Sequence, residues 1–361
     1  MNSTKLVPRA FRFSGLIGLL LAAVVSPAGA RPIVVSTTIQ AAVDASHPGD
    51  MVKVPAGTYR ENVLVTKNGI TIDGSPGAVL DGAGLTGETG IHAAPLSPTA
   101  VIRGFRLRGM KIQNYTGNGV LIENGRDFAV TDGTYVGNGE YGIFALHSAD
   151  GRIDGNAVSG SNDTAIYIGQ SHDITVKDNV AQESTVGIEV ENSIHITVSS
   201  NRCVGNSAGI LVDVLPGLDE TVTRDVTVRN NQLLDNNRPN PVTDPFDILS
   251  RLPSGVGLLN VGGDGLTVAG NIATGNNSAG ILIAQLPPDA AALDPRIDPF
   301  PDHNEIRNNV TLENGGNPDP KIAPLPGADL VWDFSGSANC WSNNVFQTAF
   351  PDPLPHCGGT K

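Results

Sequence analysis

The sequence predicts an all-β solenoid, with short strands stacked coil upon coil around one elongated core. Three observations predict it. A phrase opening on Gly or Ala recurs at Gly119, Gly142, Ala165 and Gly187, at spacings of 23, 23 and 22 residues, and again at Gly209, Gly257 and Gly280. A unit this short buries its apolar face only by stacking on its neighbours. Within each phrase the aliphatic residues alternate (Val120/Ile122, Ile166/Ile168, Ile188/Val190, Ile210/Val212, Ile281/Ile283), which is the period of a strand. The 43 Gly and 25 Pro suit a turn-dense solenoid, and no long charged or low-complexity run signals disorder.

Taken in chain order, residues 1–30 read as a secretory signal peptide. Lys5, Arg9 and Arg12 form its positive region, Leu16 to Val25 its apolar region, and Ala28-Gly29-Ala30 its cleavage site. The apolar run is too short for a stable membrane span. Removing those three bases from 23 Lys+Arg, against 36 Asp+Glu, leaves a mature net charge of −16. Such a surface repels nucleic acid and anionic lipid. It also makes an anionic polysaccharide an awkward ligand unless a cation bridges.

Residues 31–345 read as one repeat domain with three strands per coil, and 346–361 as a tail. The first strand is the Gly phrase, with its first and third following residues inward and its second and fourth outward. The second strand is Ile174–Val176, Ile196–Val198, Val226–Val228 or Leu266–Val268, and it ends at a recurring Asn: Asn156, Asn179, Asn201, Asn231, Asn271, Asn309 and Asn344. Asn tolerates a left-handed turn, and stacked Asn amides bond to one another. The third strand (Val180-Ala181-Gln182, Cys203-Val204) leads back to the next Gly. Cys203 sits in its core column as a small buried hydrophobe. Cys340 and Cys357 bracket a Pro-rich stretch; a disulfide there, permitted in an exported protein, contributes about 3 kcal/mol.

Three strands per coil, the Gly-Ile phrase and the Asn corner together resemble the right-handed parallel β-helix of the pectate-lyase-like superfamily, over Thr38 to Val345 and about ten coils. The stretch Thr38-Ile39-Gln40-Ala41-Ala42-Val43-Asp44-Ala45, followed by Pro48-Gly49-Asp50, Val54 to Glu61 and Ile70 to Gly74, is similar to that superfamily's opening segment. The resemblance implies a short amphipathic helix capping the N-terminal end. It also implies a secreted or periplasmic protein acting on or binding an extracellular polysaccharide, although one fold hosts many chemistries. The chain carries no pectin-esterase Gln-Asp pair and no pectate-lyase Arg signature. Gly137 to Gly142 spells G-x-G-x-x-G, but at a coil corner with no following helix, which excludes a nucleotide site.

Insertions place the candidate site. Pro216 to Thr223, Arg238 to Ser254, Leu286 to Asp302 and Gly315 to Gly327 all leave the C-terminal coils, and they wall the outward face of the first strand. On that face Glu191 and Asp213 hold the same position of adjacent strands, about 5 Å apart, with Glu189 about 7 Å along the strand. Three acids this close need a cation, a shared proton, or screening by water and salt. Calcium takes oxygen ligands from such a set, and holding it on this strand resembles what pectate lyases do.

Tyr167 lies one coil below Glu189, and a polar stripe of Asn124, His147, Gln170 and Asn192 runs beside the acids. A His, a Tyr and carboxylates supply the groups that proton abstraction beside a uronate requires. The stripe reads more simply as a second turn ladder of stacked Asn, Gln and His. The loops offer Asp244, Asp247, Arg251, Arg296, Asp302, His303 and Lys321 for a sugar. Mannuronan epimerases carry Asp-Pro-His-Asp, whereas here Phe246 stands in place of the His between Asp244 and Asp247. Two functions therefore stay open: a lyase or epimerase using Glu189, Glu191, Asp213, Tyr167 and His147, or a non-catalytic structural or accessory protein of the periplasm or cell surface. Convergence of acids, base and loop arginines on one point discriminates between them.

Overall fold

In the computed structural model, which describes residues 31–244 and 247–358, the coils stack as three parallel sheets. The expected signal peptide lies outside the described residues. The first strands form an eleven-stranded sheet, the second strands a fourteen-stranded sheet and the third strands a ten-stranded sheet. The register is the one the repeat implies: Ile166 pairs with Ile188, then Ile210, Leu258, Ile281 and Leu330 in successive coils. Ile166, Ile168, Ile188, Val190, Ile210 and Val212 are all fully buried in one continuous core. Ala349–Phe350, within the stretch read as a tail, adds a last strand beside Ala328–Trp332.

The helix Ile39–Ala45 covers the N-terminal end and buries Ile39, Ala42 and Val43. Thr38 caps it, and the Glu61 carboxylate accepts from the free amides of Ile39 and Gln40 at 2.8 and 2.9 Å. At the other end Cys340 and Cys357 are joined by a disulfide. Cys203 is buried and free, and burial pushes its thiol up to about 12, as suits a core residue and not a nucleophile.

The corner after the second strand is an unbroken Asn ladder. Each side-chain amide donates to the Oδ1 of the next, from Asn156 through Asn179, Asn201, Asn231, Asn271 and Asn309 to Asn344, every step at 3.0 Å. The residue before each is left-handed (Asp178, Ser200, Asn230, Asn308, Asn343), which is where Asn, Asp and Ser turn a chain most readily. A second ladder, absent from the sequence reading, runs Asn206–Asn236–Asn276–Asn314 and ends on Asp329, with steps of 2.9 to 3.1 Å. It turns the third strand into the first.

Strict alternation fails at one position. A side chain on Gly187 would point inward, 2.5 Å from the Gly209 carbonyl and 3.1 Å from Cys203 Cβ. The Gly and the residue after it thus both face the core, and the residue before it faces out. Thr164, Val186, Ala208 and Val256 consequently form a third outward column. Onto the aliphatic part of this face the insertions lay Leu249, Leu252 and Ile322, which pack with Leu211, Leu259, Leu282 and Val331. The C-terminal coils therefore carry a second, external apolar layer beside the acids.

Candidate active site

The parallel register brings Glu191 opposite Asp213, and Glu189 opposite both Tyr167 and Leu211. One carboxylate oxygen from each of Glu189, Glu191 and Asp213 lies within 4.8 Å of the others. The insertions cover them, so that they are only 4%, 6% and 5% exposed. Asp163, from the turn entering the strand Thr164–Gly169, joins them as a fourth acid lining the same cavity. Thr164 donates to Asp163 at 3.0 Å and to Glu189. The Tyr167 hydroxyl donates to Glu191 at 2.5 Å. Tyr141 stacks on Tyr167 with ring centroids 4.7 Å apart, and Phe144 meets Tyr167 edge-on.

Four acids shielded from water cannot all ionise. Burial is the largest cause, and mutual repulsion adds to it, holding Glu189 and Asp213 well above the ordinary carboxylate range. Burial lifts Glu191 less, to about 7, because the Tyr167 hydroxyl bonds to its charged form. Asp163 rises to about 6. Burial, with the negative neighbours adding to it, holds the Tyr167 and Tyr141 hydroxyls protonated, far above their usual range. Proton affinity is therefore uneven across the cluster, raised least at Asp163 and at Glu191, which accepts from a phenol, and most at Glu189 and Asp213. Asp213 Oδ1 is buried with no hydrogen-bond partner among the described residues.

The acids form one end of a cavity of about 370 Å³. Leu211, Leu259 and Leu282 floor its other half, loop residues such as Leu252 and Ile322 roof it, and Asp247, Arg251 and Lys321 also line it. Asp247 caps the turn Ile248–Arg251 by accepting from Leu249 at 2.9 Å. Arg251 pairs with Asp289 at 2.7 Å, which joins two of the insertions across the cavity.

The structure thus brings together Glu189, Glu191, Asp213, Tyr167, Asp247 and Arg251. His147 stands apart: it holds the corner after its strand in a left-handed conformation and is not among the residues lining the cavity. Arg296 is committed to Asp294, with contacts of 2.9 and 2.6 Å, and to the Leu218 carbonyl. Asp302 accepts from the Ser337 amide, and its own amide donates to Asp264. His303 is an exposed left-handed turn residue. None of these three lines the cavity: Arg296 ties its loop to the 216–223 insertion, and Asp302 ties it to Asp264 on the second-strand side of the coil. Asp244 is exposed, and Pro245 and Phe246 lie outside the described residues. Gln170 and Asn192 anchor the 216–223 insertion: Gln170 accepts from Asp219 at 3.0 Å, and Asn192 donates to Leu215 and Glu220. These two members of the polar stripe fasten a loop.

Sequence reading missed Asp163, Thr164 and Tyr141. All three fall at or just before the position preceding the Gly, which simple alternation assigns to the core. The available signal was an aromatic and two hydroxyl- or carboxyl-bearing residues at a place where later coils carry Val186, Ala208 and Val256.

The right handed beta helix region family matches residues 59–213 and 118–310. No curated protein matches the sequence. Among solved structures, the chain is similar to the Azotobacter vinelandii mannuronan C-5 epimerase AlgE4 A-module (TM-score 0.54, 14% identity, 87% of this chain and 93% of that one). It is also similar to the periplasmic alginate epimerase AlgG (TM-score 0.56, 14% identity, 88% of this chain and 77% of that one). A third likeness is to the DFA-IIIase of Arthrobacter chlorophenolicus A6 (TM-score 0.58, 14% identity, 84% of this chain and 80% of that one). At this identity the likenesses speak for the fold alone. With three parallel sheets in register and a family match across most of its coils, the chain belongs to the right-handed β-helix family.

Proposed function

We propose that this is a secreted or periplasmic carbohydrate-active protein that works on a glycosidic bond held over the buried acids. The observation that carries the reading is the placement of Glu191, whose carboxylate accepts from Tyr167, opposite Asp213, which burial shifts further toward its protonated form and whose Oδ1 has no partner among the described residues. Two carboxyl groups of unlike protonation are what glycoside cleavage needs. Asp213 donates its proton to the leaving oxygen as the C–O bond breaks, and Glu191 stabilises or captures the positive anomeric carbon. Water then adds at that carbon, freeing the Glu191 carboxylate, and its proton returns to Asp213. Oxygens within 4.8 Å leave little room for an intervening water, which favours retention at the anomeric centre. A positive transition state gains from buried carboxylates. A uronate would be repelled by them, so the reading favours a neutral sugar over epimerisation.

The test is a panel of oligo- and polysaccharides with reducing ends and anomeric configuration followed by NMR. Asp213→Asn and Glu191→Gln should each lower turnover by at least about a hundredfold. Turnover unchanged in both variants would refute the assignment.

A second reading is favoured by the same unpartnered oxygen. Glu189, Glu191 and Asp213 offer a hard cation three carboxylate oxygens, and Asp213 Oδ1 has no competing bond. Calcium held there would neutralise the cluster and admit a uronate, as the lyase or epimerase function requires. Calcium would then raise the melting temperature of the wild type and not of Asp213→Ala. No shift at millimolar calcium would remove this reading.

A further inference from the structure

The cavity has two chemically different halves. Its aromatic rings, Tyr141 and Tyr167, belong to the acid end, where their faces and hydroxyls suit a sugar ring. Beyond Asp213 the lining changes abruptly. Along the outward columns of the same sheet, Asp213 is followed by Val261 and Ala284, and Leu211 by Leu259 and Leu282. Loop side chains roof this stretch with Leu252 and Ile322, both nearly buried. A sugar placed here would lose water from every hydroxyl and find few partners, at a cost of about 1–3 kcal/mol for each unpaired group. The apolar space does not stop there. A second cavity of about 350 Å³ shares Leu215, Asp247, Ile248 and Arg251 with the first and leads to Leu293, which is 75% exposed. The pair forms an elongated path from the acids to the surface, aliphatic along the floor and through Leu215 and Ile248, with Asp247 and Arg251 at the junction.

We infer that the ligand is a saccharide carrying an aliphatic chain: the sugar lies at the Tyr141–Tyr167 and acid end, and the chain lies along Leu211, Leu259 and Leu282. This rests on the carbohydrate reading of the acid end and narrows its substrate class to glycosides of apolar alcohols, or to the lipid-linked end of a glycan. The leaving oxygen that Asp213 would protonate is then the oxygen joining sugar to chain. The division of the cavity follows from the outward columns, because one register shift of a single coil is enough to pass from Glu189 to Leu211 and from Asp213 to Val261.

The experiment is calorimetric titration of the purified protein with methyl, butyl, hexyl and octyl β-D-glucopyranoside below their micelle concentrations. The free alkanols and a plain oligosaccharide are run alongside. Affinity should rise about three- to fourfold per added methylene, the factor for transferring CH₂ from water into an apolar site. Ala284→Phe, which fills the floor, should abolish the rise for the longer chains. Leu252→Ser, a change in a loop and not in the coil, should weaken octyl glucoside about tenfold; circular dichroism and melting confirm that both variants fold. Oligosaccharide binding with no dependence on chain length would overturn the chain site and leave the carbohydrate reading standing. Alkanols binding as tightly as the glucosides would overturn the saccharide half, and with it the proposed function. Chain-length dependence unchanged in both variants would also overturn the site, because the chain would then lie elsewhere.

Discussion

At the scale of single residues, the protein is most unusual in burying three acids together with a fourth, half-buried, beside them. Their raised proton affinities make a prediction whose sign is fixed. Asp163, Glu189, Glu191 and Asp213 all bind protons more tightly folded than unfolded. Unfolding therefore releases protons once pH exceeds the unfolded values near ~4. The cluster's contribution to stability is intact below that and is lost as pH rises through about 6 and 7, the folded values of Asp163 and Glu191. Glu189→Gln should raise the melting temperature at pH 7 and flatten its decline between pH 4 and 7. Asp73 and Asp81, whose proton affinities are lowered by Arg108 and by Asn114, act in the opposite sense and below that window. A melting profile in which Glu189→Gln runs parallel to the wild type would show that these acids are solvated. Adjacent placement of Glu189, Glu191 and Asp213 was legible in the sequence, because a parallel register carries the same phrase position from coil to coil. Their burial was not, since it depends on how far the loops fold over. Thr164 and Tyr141 were hidden for a local reason: the Gly or Ala at the strand entry lets two consecutive residues face the core and reverses the alternation before it.

At the scale of elements, ladders and loops divide the labour. The Asn ladder gives every coil the same corner, and each Asn both accepts and donates between neighbours. Asn201→Ala would strip a partner from Asn179 and leave the buried Asn231 Oδ1 and the Val176 carbonyl without their side-chain bonds. The expected cost is about 1–3 kcal/mol, measured by denaturant unfolding. This ladder was legible because the Asn stands at one fixed offset from a short alternating strand. The second ladder was not, because the coils before Asn206 carry Ser161 and Ser184 at that corner, which interrupts the Asn pattern. The loop residues were the least legible part. Arg251 and Asp247 reach the cavity, whereas Arg296, Asp302 and His303, read from the same composition, tie their own loop to its neighbours. Sequence shows that an insertion exists and where it leaves the coil, but its fold rests on one-off contacts such as Arg296 with Asp294 that no repeat announces.

At the scale of the whole molecule, stability is a sum over coils, and function is confined to a few of them. Ile188 lies in the middle of the stack, with Ile166 below and Ile210 above. Truncating it leaves a cavity that the flanking coils cannot fill, so Ile188→Ala should cost about 2–5 kcal/mol in chemical denaturation. The same coil presents Glu189 and Glu191 outward, so its position is set by the core while its outer face carries the chemistry. No helix among the described residues is long and apolar enough to cross a membrane. The C-terminal insertions turn one part of an otherwise solvated outer face into an enclosed site, acidic at one end and aliphatic at the other.

The most direct measurement is a carbon-13 NMR titration of the Asp and Glu side-chain carboxyls, assigned with Glu191→Gln and Asp213→Asn. A shared-proton site requires at least two of the four cluster carboxyls to titrate at or above about pH 6, with the remaining cluster values falling when either residue is neutralised. All four titrating independently near ~4 would contradict it, because the cluster would then hold no neutral acid to donate a proton at physiological pH.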